Sequence, residues 1–342
     1  MTTPFRLLAS LLLFSLTLLA FTSPQVQCQP KPILLDRDRI RLAEAFRIAH
    51  ELGNKVWTDW DKAPFAVLLV TSDHEFLVRH PKPTSDFTLI AYDSLLESNV
   101  YYRKRVFQPN LLATFPAVSG VPTIVVGQTE NTNVENSTRW VLAILHEHFH
   151  QLQTSQPTYY PDVEALNLSH GDQTGTWMLN YPFPYDSSTI NQQFTVLCTK
   201  LSDALRSRRT IDFRPKVAAY LSAREYFRSR LRDDDYRYFS FQVWQEGVAR
   251  YTEYRMATLA GESFEPSESF RSLPDFTSFK AEADTLREGL PRALPLFSLS
   301  ALKRVAFYPL GAGEAFLLDA ANPTWRELYF RDKFFLERYF PR

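Results

Sequence analysis

The sequence predicts an α+β fold, a small α/β lobe followed by a mainly helical one, and three observations carry that expectation. Short apolar, β-branched runs are confined to residues 65–126. From residue 136 onward the apolar residues recur at helical spacing instead. The composition, with 14% aromatics and 22 prolines against 10 glycines, is that of an ordered, core-forming chain and excludes a disordered or fibrous one. The 342 residues are enough to bury one large core or two modest lobes. Charge is balanced at 38 basic and 38 acidic side chains, so nothing argues for nucleic acid or an anionic membrane surface as a partner.

Residues 1–28 read as an export signal: Arg6 gives the positive start, and residues 7–21 are apolar but shorter than the roughly 20 needed to span a bilayer. A secreted or periplasmic protein is expected, with no membrane association after cleavage. A lipid anchor through Cys28 is the alternative, although Gln25-Val26-Gln27 lacks the small residue such a site needs. With Cys198 the only other cysteine, a disulfide framework is excluded.

Residues 29–135 form the expected α/β lobe. Leu42, Ala45, Phe46, Ala49 and Leu52 place a helix over 36–57, with Asp36 or Asp38 as cap. Apolar runs at 65–71 and 75–79 flank Ser72-Asp73-His74 and read as a hairpin. Residues 87–92 and 123–126 read as two further strands, the second following Gly120-Val121-Pro122. Residues 136–342 form the helical lobe. Ser137 or Thr138 caps a helix carrying Trp140, Val141, Ile144, Leu145, Phe149 and Leu152. A long irregular loop is expected over 157–188, then helices at 189–208, 214–232 and 236–260, a Pro/Ser-punctuated stretch over 264–296, and a last helix starting near Gly311.

The first of these later helices contains His146-Glu147-His148-Phe149-His150. Positions four apart lie one above the other on a helix, so His146 and His150 can meet one metal ion. Glu147 stands one step round, where its carboxylate can take a proton from water. His148 lies about 200° from both histidines and points to packing or the surface. A catalytic zinc needs a third protein ligand. Gln153 and Gln156 occupy the positions where a metzincin has Gly and His, which rejects that class. His170 stands where thermolysin-like proteins carry their glutamate, and Asp162, Glu164 and Asp172 share its loop.

A further candidate lies on the 236–260 helix, where residues 244–254 read Trp-Gln-Glu-Gly-Val-Ala-Arg-Tyr-Thr-Glu-Tyr. His-Glu-x-x-His followed by a helix with Glu-Gly-x-Ala resembles the gluzincin metallopeptidases. The match is to Glu-Gly-x-Ala only, because Trp244 stands one residue closer to the glutamate than in that group. The resemblance implies a zincin-like fold, Zn2+ held by His146, His150 and Glu246, and Glu147 as general base acting on a peptide or protein substrate. It also implies a tyrosine to stabilise the transition state, for which Tyr308 and Tyr251 are the candidates. Gly247 is expected to let the ligand helix pack closely on the first. Glu253 either orients a ligand histidine or is an ordinary helix glutamate. Residues 180–185, Asn-Tyr-Pro-Phe-Pro-Tyr, either line a substrate cleft or pack as a loop. The rival function is a secreted zinc-binding module of the same fold without peptidase activity.

Overall fold

A computed structural model describes residues 31–341; the expected export signal and Cys28 lie outside the described residues. The first helix, α1 (Asp36–Val56), turns Leu42, Ala45, Phe46, Ala49 and Leu52 inward, as its spacing requires. Leu35, not Asp36 or Asp38, occupies its N-cap position. Six strands follow: β1 (Val67–Val70), β2 (His74–Val78), β3 (Thr88–Asp93), β4 (Ser98–Lys104), β5 (Leu112–Val118) and β6 (Val121–Gly127). They form one mixed sheet in the order β3-β4-β2-β1-β6-β5, with only β1 and β6 parallel. The fold is therefore α+β.

The central strand β1 is apolar at every position because both its faces are covered. Val67 and Leu69 join the main core beneath the helices, while Leu68 and Val70 pack with Leu77, Phe87, Val118 and Val125 on the other face. Strands β4 and β5 were not legible as strands. In β4 only Val100 is fully buried. In β5 Pro116 has no N–H to give to a ladder, and the register with β6 breaks between Phe115 and Val118. An edge position tolerates that. Ser119 and Gly120 then turn the chain with φ of 50° and 73°, the left-handed pair that a two-residue hairpin uses.

Helix α2 (Ser137–Thr154) is capped by Asn136, whose side chain accepts from the Arg139 N–H at 2.8 Å. The expected caps are engaged elsewhere: Ser137 joins Arg41 and Asp275, and Thr138 donates to the Thr277 carbonyl. The stretch 157–188 is less irregular than expected, since it contains α3 (Tyr159–Ala165) and α4 (Trp177–Asn180). Then come α5 (Ser188–Arg206), α6 (Phe213–Ser229), α7 (Asp233–Gln242) and α8 (Val248–Ser263). The expected single helix over 236–260 is divided between α7 and α8 by a π-helical turn, Val243–Gly247. Helices α9 (Glu268–Arg271), α10 (Phe279–Ala293), α11 (Leu299–Leu302), α12 (Phe307–Ala321) and α13 (Arg326–Tyr329) complete the chain. Because α12 starts at Phe307 and not near Gly311, Tyr308 lies in its first turn.

Sheet and helices share the main core. Helix α2 is pinned to the sheet by Gln151, whose amide donates to the carbonyls of Ala66 at 3.0 Å and Pro122 at 2.9 Å. Trp57, just past α1, donates to the Thr252 hydroxyl on α8 at 2.8 Å. No helix among the described residues is long and apolar enough to cross a membrane.

Candidate metal centre

The apolar stripe of α2 fixes which way its histidines face. Trp140, Val141, Ile144, Leu145, Phe149 and Leu152 are buried in the core, and this orientation brings His146 and His150 to the side facing α8. Their rings lie 5.0 Å apart. The carboxylate of Glu246 comes up from the π-helical turn, a local widening of the helix that recurs at functional sites. Its Oε2 lies 3.6 Å from His146 Nε2 and 3.3 Å from His150 Nε2. Ligands 2.0–2.2 Å from a tetrahedral ion lie about 3.3–3.6 Å from each other, so the carboxylate oxygen stands at ligand separation from both imidazole nitrogens. The ligand-capable atoms of His146, Glu147 and His150 also lie within 4.8 Å of one another. Of the two carboxylates, Glu246 is the one that reaches both imidazoles.

Of the remaining ring nitrogens, that of His150 is hydrogen-bonded from behind and that of His146 faces a carboxylate. His150 Nδ1 meets Gln153 Oε1 at 2.6 Å, and the same amide donates to the Gln245 carbonyl and the Tyr329 hydroxyl. His146 Nδ1 faces Glu253 Oε2 at 3.4 Å, and Arg250 grips that carboxylate at 2.7 and 2.9 Å. Both arrangements leave Nε2 as the nitrogen available to a metal. Glu253 thus stands beside His146, a candidate ligand histidine. Gln153 was missed: the sequence marks it only as a residue three positions past His150.

Without a metal, protons fill the charge balance. Burial opposes the charge on His146, but the carboxylates of Glu246 and Glu253 outweigh it and raise its pKa to about 9. His150 is raised in the same way, burial working against it and Glu246 for it. Burial works against the charge on Glu246 too, yet the two histidines hold it well below the ordinary carboxylate range.

Glu147 is fixed beside the two histidines by a strand. Thr114 Oγ1, on the edge strand β5, lies 2.8 Å from Glu147 Oε2 and 3.0 Å from the Glu147 carbonyl. Tyr308 is brought to the centre by its ring, parallel to His146 within 17° at 6.2 Å, and its hydroxyl accepts from Arg304 at 2.5 Å. These groups border one cleft of about 1090 Å³, which also runs along residues 112–116 of β5 and past Trp177, Met178 and Leu179.

Several expected residues stand elsewhere. Tyr251 is buried and bonded to both oxygens of Asp319, with Arg326 at 2.6 Å, so its hydroxyl faces away from the histidines. Gly247 does not bring its helix onto α2. A Cβ there would lie 2.5 Å from Gly311 Cα, so the close approach is to α12. His148 stacks on Phe65 at 3.7 Å, and burial lowers its pKa to about 3. His170 is exposed on a turn, and Asp162 pairs with Lys333 at 2.7 Å. Glu164 and Asp172 border the cleft, where Asp172 is occupied by backbone N–H groups of its own loop. Tyr181 and Phe183 are loop packing, the former stacked on Tyr238 at 4.3 Å.

In comparisons with known proteins, no family model, no curated protein and no solved structure matches this chain.

Proposed function

We propose that the chain is a zinc-dependent peptide-bond hydrolase of the gluzincin type, with a zincin-like arrangement of sheet and α2. One observation carries the reading: two imidazole Nε2 atoms converge on a single carboxylate oxygen at 3.3 and 3.6 Å, with a second carboxylate beside them in the same cleft. His146, His150 and Glu246 are the residues that would hold Zn2+, a nitrogen and oxygen donor set this ion takes. Bound there, the ion supplies Lewis acidity and makes water a stronger nucleophile at neutral pH.

The chain's own residues supply the positioning and the proton movements. Glu147 accepts a proton from the attacking water and returns it to the leaving amine, while the Thr114 hydroxyl holds its carboxylate in place. Tyr308 donates to the carbonyl oxygen as negative charge gathers there. Among the described residues strand β5 pairs only with β6, so its outer edge, along the cleft, can take an extended peptide as an added strand. A peptide or protein is therefore the substrate class.

The test is Glu147→Gln in the zinc-loaded protein, assayed on a mixture of internally quenched peptides. Zinc stays stoichiometric and turnover falls by about 10²-fold or more, the worth of a positioned base. Undiminished cleavage in this variant removes Glu147 from the mechanism. A wild-type chain that holds zinc and cleaves none of the peptides is instead a binding module. Zinc retained undiminished in Glu246→Ala overturns the ligand set.

A further inference from the structure

Arg304 stands beside the centre on the 3-10 turn Lys303–Ala306 that leads into α12. It is one of three arginines bordering the cleft, with Arg139 and Arg250. The other two are bound by carboxylates: Arg139 to Glu282 at 2.7 Å, and Arg250 to both oxygens of Glu253. Arg304 differs. Its Nη1 donates to the Tyr308 hydroxyl at 2.5 Å, while Glu246 Oε1 lies farther off at 3.7 Å.

A guanidinium has donors only, so this bond fixes the roles of both partners. The tyrosine oxygen must accept from Arg304, and its own proton must leave in another direction. Tyr308 lies beside the ring of His146 and borders the cleft, as does Arg304, and the Glu246 carboxylate is the other polar group that acts on its hydroxyl. A cationic donor on the phenol oxygen also withdraws electron density from it and strengthens the outgoing O–H as a donor. We propose that Arg304 is a positioning residue that commits Tyr308 to donating its hydrogen bond into the cleft, toward the oxygen on which charge develops. The proposal rests on the hydrolase reading above for what receives that hydrogen bond. It does not rest on it for the hold of Arg304 on Tyr308.

A double-mutant cycle on internally quenched peptides tests the function. Tyr308→Phe lowers kcat by about 10²-fold, the usual cost of one such donor. Arg304→Met lowers it by about tenfold with KM little changed, and Arg304→Lys recovers part of the loss because lysine still donates. The double variant is no slower than Tyr308→Phe, since Arg304 acts only through the tyrosine. Losses that multiply overturn the proposal, because Arg304 then acts on the substrate by itself. The second readout needs neither zinc nor turnover. In metal-free protein carrying ring-13C tyrosine, the Tyr308 Cζ resonance, identified by its loss in Tyr308→Phe, shifts in Arg304→Met and moves back in Arg304→Lys. A resonance that stays in place in Arg304→Met overturns the proposal whatever the kinetics. An inactive wild-type chain sinks the hydrolase reading, and with it the catalytic role of Arg304, while the resonance still decides the contact.

Discussion

At the scale of single residues, the three histidines of 146–150 share a helix and a type but have three environments. His148 is enclosed by Phe65 and Trp60 and stays neutral, because burial disfavours its charge. His146 faces two carboxylates and His150 a carboxylate and an amide, and that difference makes them ligand candidates. Glu147 has one side-chain partner of note, the Thr114 hydroxyl. Replacing that hydroxyl by a methyl leaves the carboxylate buried at the cleft wall without its donor, free to rotate out of the position the proposed mechanism requires. Thr114→Val is therefore expected to lower kcat by about 10- to 100-fold, the scale of a misplaced catalytic group, with zinc content unchanged. Thr114→Ser restores most of the rate. Steady-state kinetics beside elemental analysis check this, and an unaltered kcat in the valine variant removes Thr114 from the site.

At the scale of elements, the crossing of the π-helical turn and α12 decides whether Glu246 and Tyr308 meet. Gly247 and Gly311 touch backbone to backbone: a Cβ on the first would lie 2.5 Å from the Cα of the second, and one on the second 2.6 Å from the Cα of the first. Gly247→Ala must push the two elements apart, at a cost of about 1–3 kcal/mol, the usual range for overpacking. The Tm falls, and under the proposed function the affinity for zinc falls with it. Gly289→Ala is the control: it sits exposed in α10 with open space around it, and gains up to about 1 kcal/mol from helix propensity. Equal Tm values for the two variants contradict the crossing. This crossing also shows what the sequence could not carry. Helical spacing disclosed α1, α2 and the helix faces, and the His-Glu-x-x-His pattern disclosed its own geometry, because both are local. Thr114 and Gln153 were invisible as site residues, since their roles depend on β5 lying beside α2 and on α2 lying beside the π-helical turn. Strand β5 itself was hidden by Pro116, and Gly247 was assigned the wrong neighbour because a close approach names no partner in the sequence.

At the scale of the whole molecule, the candidate centre couples stability to pH and, under the proposed function, to zinc. In the metal-free chain His146 is buried, which disfavours its charge, yet Glu246 and Glu253 raise its pKa from 6.5 to about 9. A group raised in the folded state stabilises most below its unfolded pKa, and that contribution is lost as pH climbs through the folded one. Metal-free protein should therefore lose stability from about pH 6.5 to 9. Glu246 adds no slope there, because it is held well below the carboxylate range and stays ionised throughout. Zinc has the opposite dependence, since both histidines must be neutral to ligate and protons compete with the ion. Its stabilisation grows with affinity as RT ln(1 + [L]/Kd). That term alone sets the Tm gap between zinc-loaded and chelator-treated protein, since the loss of metal-free stability is common to both forms, and the gap widens from about pH 6.5 to 9 as the competing protons leave. Thermal scans of both forms at several pH values, at fixed total zinc, measure it. A gap that is constant or narrows means that His146 carries no proton for zinc to displace. In Glu246→Gln the chelator-treated slope should be shallower, because the first of the two carboxylates that hold the proton has lost its charge.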